Sequence, residues 1–479
     1  MSVAPRRATE VETWDDEADV VVVGFGAAGA SAAIEAAGAG AETLVLERAG
    51  AAGGAAAMSD GFIYLGGGTP EQQAAGYEDS VENMKTFLTA ACGPSPDLDK
   101  IDAYCAHSLV HREWLVGHGV EFLGTVVPEA NGTSPIDGEG LMFTGGENAW
   151  PYDEIATPAP RGHVVQGGRP GGSVLMNLLS AAAVEAGARV RPDTRAERLV
   201  IGEDGRVVGL VATSFGEELA IRARTGVVLA AGGFINSPEM IEQYAPSVHV
   251  TALRLGTEGD DGRGIRMAEA VGARLKRMDA IECALPFNAP RSLVHGIIVN
   301  RFGQRFVNED TYMGRVGQTA LVNQRGEAYL VVDEEHYAPN WLNIRASWVC
   351  ETAAELEAEI GLPTGALVST LDYFNEHAEQ REDPLFHKRA AVLSPLRGPL
   401  AGFDLRASTF IYAPFTLGGL HTQVDGAVLD IDGVPIPGLF AAGRTTSGVA
   451  AQGYCSGLSL GDSTLFGRFA GRAAAGGKP

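Results

Sequence analysis

The sequence predicts an α/β protein, a Rossmann-like nucleotide domain built on a parallel sheet and interrupted by a smaller α+β domain. Three observations carry this. An apolar strand over 19–24 turns through glycines into an alanine-rich helix ending near Ala39, and a second strand follows over 43–47, giving a β-α-β unit. Glycine-rich turns close apolar stretches again at Gly232-Gly233 and at Gly443, far along the chain. Between them the composition shifts, with short strands near 296–300 and 329–333 mixed with helices over 353–378. A middle segment between two halves of one style reads as an insertion. The expected limits are 1–283 and 411–479 for the nucleotide domain and 284–410 for the insert.

The remaining elements follow in order. Residues 1–17 read as a flexible leader, and 50–68 as a long Gly/Ala loop with too much backbone freedom for a plain connector. A helical region spans 76–118, and a helix over 173–187 ends on a glycine suited to a C-terminal cap. Strands over 196–201, 207–213 and 218–223 form an antiparallel meander, and 226–234 returns to the core as a separate apolar strand. A last helix runs from 458 to 474. No internal repeat is visible.

Composition narrows the function. The 479 residues are 45% hydrophobic and 20% charged, an ordinary globular balance. A formal charge of −24 disfavours a nucleic-acid partner and docking on an anionic membrane. No run of ~18 apolar residues suggests an integral membrane segment. Cys92, Cys105, Cys283, Cys350 and Cys455 are odd in number and lack CxxC spacing, which argues against disulfides and zinc, so no metal is expected. Without a signal-peptide pattern, a cytoplasmic location is expected.

Gly24-Phe25-Gly26-Ala27-Ala28-Gly29 is a GxGxxG turn. It follows a strand, opens a helix and precedes an acidic residue, Glu47, at the end of the next strand, and that context makes the pattern specific. Gly24 permits the tight turn, Gly26 lets backbone approach a pyrophosphate, and Gly29 lets helix and strand pack closely. The helix N-terminus offers free N–H groups and a positive dipole to the phosphates. Glu47 is placed to accept hydrogen bonds from ribose hydroxyls. Three further glycine-rich turns, at Gly53-Gly54, Gly232-Gly233 and Gly443, indicate a cofactor long enough to need several close backbone approaches. That favours FAD over a nicotinamide nucleotide.

The blocks DVVVVGFGAAG (19–29), LER (46–48), GGAAAMSDG (53–61), VVLAAGGF (227–234) and IPGLFAAGR (436–444) resemble the fumarate reductase/succinate dehydrogenase flavoprotein superfamily. The resemblance implies a Rossmann-like FAD-binding domain interrupted by a smaller α+β catalytic domain. Members of that superfamily that attach FAD covalently carry a histidine in the loop after the first β-α-β unit; residues 50–60 hold none, so the resemblance implies non-covalent FAD. It also implies cofactor contacts from Gly24, Gly26, Ala27, Ala28, Gly29, Glu47, Arg48, Gly53, Gly54, Ala230, Gly232, Asp261, Gly443, Ser459 and Leu460. Dicarboxylate enzymes of this superfamily place His and Arg after the AAG turn, whereas this chain has no charge between Thr445 and Gly461. A dianion would lie unneutralised there, at several kcal/mol.

That uncharged segment resembles the 3-ketosteroid dehydrogenase branch. The resemblance implies catalytic roles for Tyr454 and for Tyr312, which follows the Asn308-Glu309 pair. Δ1-Dehydrogenases typically continue the first tyrosine with Pro-Gly; the reading Tyr454-Cys455-Ser456-Gly457 is more similar to the Δ4-(5α)-dehydrogenases. Gly457 and Leu458 are then substrate contacts. The implied partner is a small apolar steroid ketone, with the external electron acceptor unknown.

Desaturation removes a proton from Cα and a hydride from Cβ, the hydride passing to flavin N5. Negative charge grows on the carbonyl oxygen, so hydrogen-bond donors aimed at it lower the barrier. Tyr454 is assigned to that oxygen, with an N–H of the 457–459 turn beside it. Tyr312 or Ser456 is the base. A neutral phenol is a poor base, so a depressed pKa or a relay to solvent is expected. The start of the final helix would face the N1/C2 edge of the flavin. Phe287, Trp341, Trp348, Phe403, Phe410 and Phe415 could line the pocket, although most aromatics of such a list belong to the core.

Other readings stay open. Ser456 could simply cap the final helix. His421 is as consistent with packing as with catalysis. His107 and His111 share a helical face that reads as solvated. Δ1-Dehydrogenation, or reduction of a non-steroid enoate aided by Arg254, Arg291 or Arg397, are enzyme alternatives. A flavin-binding protein without turnover is a third.

Overall fold

A computed structural model describes residues 3–127 and 134–477. Its largest sheet has nine strands. Asp16–Val23 lies at the centre and pairs in parallel with Thr43–Leu46 on one side and Glu217–Leu229 on the other. These strands read as unbroken apolar runs because both faces are covered: Val20, Val21 and Val22 are fully buried. Arg189–Arg191 extends the sheet beyond Thr43–Leu46.

The expected meander is present as Thr194–Ile201, Val207–Ser214 and Glu217–Leu229, all antiparallel. Its last strand is one element of 13 residues, not two separate strands. A register shift between Ala223 and Gly226 absorbs the bend. Its far end, Val227–Leu229, then pairs in parallel with Pro435–Ala441, joining the C-terminal part of the chain to the N-terminal sheet.

Three sequence expectations are corrected. The leader is not loose throughout: Arg6 and Arg7 pair with Val200 and Ile201 at the edge of the sheet, where backbone bonding outweighs a polar composition. The Gly/Ala loop contains a helical turn, Gly54–Ala57, and a buried strand, Phe62–Tyr64. The helical region divides into Pro70–Ala74, Val81–Ala91 and Leu98–Gly117, with Pro94 and Pro96 in the last gap.

The chain leaves the nucleotide sheet along Ile281–Ala284 and returns along Ala413–Thr416, which pair antiparallel with Glu282 opposite Phe415. Between them lies a four-stranded antiparallel sheet in the order Ile297–Asn300, Ala328–Asp333, Leu400–Asp404, Trp348–Cys350. Helices Ala353–Ile360 and Ala366–Ala378 cover it through Leu356, Leu367, Leu371 and Phe374.

The first helix, Ala27–Gly38, is buried on most of its surface. The final helix, Leu458–Ala474, crosses it through small residues. A Cβ on Gly467 would stand 2.5 Å from the Ala28 carbonyl oxygen, and one on Gly471 2.2 Å from that of Ala32. Only glycine permits that approach.

His111, expected on a solvated face, is fully buried against the final helix; His107 is exposed as expected. Arg468 donates to His111 Nδ1 at 3.1 Å, so the neutral ring carries its proton on Nε2 and donates to Thr464 Oγ1 at 2.8 Å. Burial, then the Arg468 charge, hold its pKa well below 6.5. The unfolded chain therefore takes up a proton below about pH 6.5 that the folded chain refuses. Stability contributed by neutral His111 is complete above that pH and falls as pH drops, by at most about 1.4 kcal/mol per unit. Urea titrations between about pH 6.5 and 5 should show this slope, reduced by that amount in His111→Gln.

Candidate active site

Backbone geometry at the strand ends decides what the nucleotide side can hold. Gly24 sits at φ +99°, and a Cβ there would lie 2.4 Å from the Ala230 carbonyl oxygen. A Cβ on Gly29 would lie 1.9 Å from the Gly24 carbonyl oxygen. At Gly26 the nearest atom to such a Cβ is the Gly53 carbonyl oxygen, at 3.7 Å. Gly24 and Gly29 are thus required by protein packing, whereas Gly26 has room beside it. Gly26 is also the N-cap of the first helix and supplies no side-chain cap, so the first-turn N–H groups of Ala27, Ala28 and Gly29 are presented bare.

The other predicted cofactor residues gather around this turn. Gly53 donates its N–H to the Phe25 carbonyl at 2.9 Å, bringing the turn at Gly53 and Gly54 against the first. Glu47 accepts from the Phe25 N–H through one oxygen and from the Ala49 N–H through the other, both at 2.8 Å. Its carboxylate is therefore aimed by backbone, with one lone pair per oxygen left over. Arg48 pairs with Asp261 at 3.2 Å. Ala230 donates to Val23 at 2.8 Å. Gly232, at φ +79°, lies against Asp260, and Gly443, at φ +65°, against Ala28.

Asp260 escaped the sequence reading. It accepts from the Gly233 N–H at 2.8 Å and from Arg444 at 2.8 Å, tying two of the glycine turns together. The donor set fits a long pyrophosphate-bearing cofactor. Two helices, beginning at Ala27 and Leu458, have glycine N-caps without side-chain caps, and glycines occupy the ends of strands that converge there.

A cleft lined by Leu417, Arg444, Ala450, Tyr454, Leu458 and Ser459 adjoins the start of the final helix. Gly457, at φ +100°, opens that helix; a Cβ there would lie 2.8 Å from the Tyr64 N. Gly457 and not Ser456 is therefore the N-cap. Ser456 is partly exposed and donates its N–H to the Thr144 carbonyl at 2.8 Å. Leu458 is fully buried, packed with Tyr454 and Tyr312. Leu460 turns the other way, into the core around the first helix, so only its backbone is available to a ligand.

Tyr454 and Tyr312 are both buried in one cluster. The Ser459 N–H donates to the Tyr454 oxygen at 3.2 Å. That N–H is spent on the phenol, not on a ketone; it polarises the hydroxyl and leaves the phenolic proton to be donated. Tyr312 donates to Glu282 Oε1 at 2.8 Å. Glu282 was also missed, although a lone carboxylate in the apolar strand Ile281–Ala284 was a visible signal.

Electrostatics overturn one expectation. Burial raises the pKa of Tyr312 well above 10, and the neighbouring Glu282 raises it further. Burial raises Tyr454 as well, against the opposing Ser459 N–H. Neither phenol is acidified: losing a proton in a dry pocket is disfavoured. Burial pushes the Glu282 carboxyl up to about 7, with the Tyr312 hydrogen bond and the Arg315 charge acting against it.

Of the aromatic residues named for the pocket, only Phe415 is there, edge-on to Tyr454 with centroids 5.3 Å apart. Phe287, Phe403 and Phe410 belong to the main core, Trp348 packs against the inserted sheet, and Trp341 is exposed. Arg254 donates to the Ile235 carbonyl, Arg291 pairs with Asp310, and Arg397 pairs with Glu379 on the surface. His421 Nε2 lies 3.3 Å from Lys276 Nζ, away from the tyrosines.

The family model for an FAD binding domain matches residues 19–459. The chain belongs to that family. This flavoprotein is similar to the crystal structure of 3-ketosteroid-Δ4-(5α)-dehydrogenase from Rhodococcus jostii RHA1 in complex with 4-androstene-3,17-dione. The identity is 50%, the TM-score 0.95, and 99% of this chain and 100% of that one are covered. It is 28% identical to 3-oxo-5-alpha-steroid 4-dehydrogenase of Comamonas testosteroni, over 91% of this chain and 94% of that one. The open conformation of a flavocytochrome c3 fumarate reductase matches at 25% identity and a TM-score of 0.68, over 97% of this chain and 79% of that one. The flavoprotein is thus an FAD-dependent oxidoreductase of the fumarate reductase superfamily, as its sequence blocks implied. Among the described residues no helix is long and apolar enough to cross a membrane.

The two kinds of glycine give a direct test. Gly26→Val should leave the thermal stability of the flavin-free protein within about 1 kcal/mol while weakening FAD binding at least ~10-fold. Gly29→Ala should unfold or severely destabilise the flavin-free protein itself. Calorimetry and flavin titration of both variants separate the effects.

Proposed function

We propose that this flavoprotein desaturates a 5α-H 3-ketosteroid, forming its C4–C5 double bond. The observation that carries the proposal is the placement of two buried tyrosines, Tyr454 and Tyr312, in one hydrophobic cluster, Tyr454 on a segment that bears no charge between Thr445 and Gly461. The Rhodococcus enzyme with its bound steroid supports the same reading.

Tyr454 donates to the ketone oxygen. The Ser459 N–H on its phenolic oxygen makes it a better donor, and its high pKa keeps it protonated while negative charge grows on the substrate. Gly457 and Leu458 form the adjoining wall. Tyr312 or Ser456 receives the α-proton. Bound FAD supplies the hydride acceptor. It is held by the turns at Gly24–Gly29, Gly53-Gly54, Gly232 and Gly443, by Glu47 and Arg48, by Ala230 and Asp261, and by the backbone of Ser459 and Leu460.

A rigid ketone is held mainly by buried apolar area, ~25 cal/mol per Å2. Among the described residues the arginine that lines the cleft, Arg444, is paired with Asp260 at 2.8 Å, and the nearby Arg315 donates to the Gly145 and Ala91 carbonyls at 3.2 Å, which disfavours a dicarboxylate. The paired strands Ile281–Ala284 and Ala413–Thr416 support a domain boundary close to 284 and 410. All five cysteines are free, consistent with a reducing cytoplasm.

Anaerobic mixing with saturated 5α-H 3-ketosteroids should bleach the oxidised flavin, and a 4-ene-3-ketosteroid should not. Bleaching by the 4-ene compound would point to Δ1 chemistry, and bleaching by neither would remove the steroid reading. Tyr454→Phe should lower kcat by ~100- to 1,000-fold with little change in FAD content, as loss of one oxyanion donor does.

A further inference from the structure

The desaturation proposed above hands the α-proton to a hydroxyl, Tyr312 or Ser456, that has to pass a proton on. Both phenols are held in their neutral forms by burial, so neither offers a phenolate on which the abstracted proton could rest. Glu282 lies directly behind one of them. Its residue is 2% exposed, and its Oε1 accepts the Tyr312 hydroxyl at 2.8 Å. The neighbouring helix is cut back to make room: a Cβ on Gly314 would stand 1.9 Å from that same oxygen.

From the geometry we propose that Glu282 is the residue on which the substrate's α-proton comes to rest, delivered through the Tyr312 hydroxyl. The Cα–H bond of the ketone breaks and its electron pair stays on the substrate as the enolate. The Tyr312 oxygen gains a proton, directly or by way of Ser456, as its own proton forms an O–H bond with Glu282 Oε1. One negative charge thereby moves from the carboxylate to the substrate oxygen, where Tyr454 meets it. This half of the reaction is redox-neutral. Hydride loss from Cβ then completes the double bond, and Glu282 releases its proton before the next turnover.

The groups facing Glu282 agree with this role. Tyr312 and Arg315 come from the start of helix Met313–Gln318, Tyr454 and Cys455 from the segment before the final helix, and Cys283 from its own strand. Arg315 is the cation, and its guanidinium is committed to the Gly145 and Ala91 carbonyls. Among the described residues Glu282 makes no direct ion pair, and burial leaves its carboxyl near 7, where it can both take and release a proton. A partner needed only to satisfy a buried tyrosine would not have to be ionisable. An amide oxygen serves equally well.

The inference rests on the ketone-desaturating reading, and one experiment separates the two. FAD-loaded wild type, Glu282→Gln and Glu282→Asp are mixed anaerobically with a saturated 5α-H 3-ketosteroid, and the rate of flavin bleaching and the steroid Kd are followed from about pH 5 to 9. Glu282→Gln keeps an acceptor for Tyr312 and removes the proton store. It should bind steroid within ~3-fold of wild type, bleach at least ~100-fold more slowly, and lose the rise in rate that wild type shows through about pH 7. Glu282→Asp should recover part of the rate together with that rise. Infrared difference spectra of the steroid-free holoenzyme should show a carboxyl band that titrates near 7 and is missing from Glu282→Gln. Wild-type speed and an unchanged pH profile in Glu282→Gln, or no such band in wild type, would overturn the proton store and leave the steroid reading intact. A wild type that no ketosteroid bleaches would overturn both.

Discussion

The structure depends on backbone meeting backbone around the first helix. Gly24 against Ala230, Gly29 against Gly24, and Gly467 and Gly471 against Ala28 and Ala32 are contacts that a single methyl group would prevent. They seat Ala27–Gly38 between the central strands and the final helix. At one end this bares N–H groups for a pyrophosphate. Beyond that same end it fixes where the final helix begins, and with it Gly457, the Ser459 N–H and Tyr454. The cofactor side and the catalytic side are therefore held by one close-packed constraint, and a shift in either is transmitted to the other through the same small residues.

Around that frame the buried cations are each given an ionic or hydrogen-bonding partner. Arg444 is answered by Asp260, Arg161 by Asp79 and Arg315 by carbonyl oxygens. Taking ions out of water is costly unless each is paired or hydrogen-bonded, and here each of them is. The result suits a substrate that carries no charge until reaction begins. Burial keeps the tyrosines protonated and so able to donate, and it turns the Glu282 carboxyl, which makes no direct ion pair among the described residues, into a group balanced between its two forms. The same desolvation acts on all three with opposite chemical consequences, since the neutral form of a phenol and that of a carboxyl are useful for different tasks.

Much was legible in the chain. The β-α-β unit and the glycine turns are short-range patterns, in which composition and spacing speak directly to backbone geometry. The tyrosine pair was found through resemblance, and the structure places both residues in a single cluster. The misreadings share a cause. His111 was judged by residue type and local spacing, yet burial is settled by whatever packs across, here a helix some 350 positions later. Ser456 was a plausible cap by type, but the left-handed turn at Gly457 took that place.

The sequence by itself determined an FAD-binding α/β protein of the fumarate reductase superfamily, because glycine positions and strand–helix periodicity encode backbone shape over a few residues. Only the tertiary structure decided the protonation chemistry of the site. The partners of Glu282 lie on its own strand, on the helix after Tyr312 and just before the final helix, and their spacing sets its solvation. A pKa depends on the water and charge around a group in three dimensions, which no single stretch of chain records.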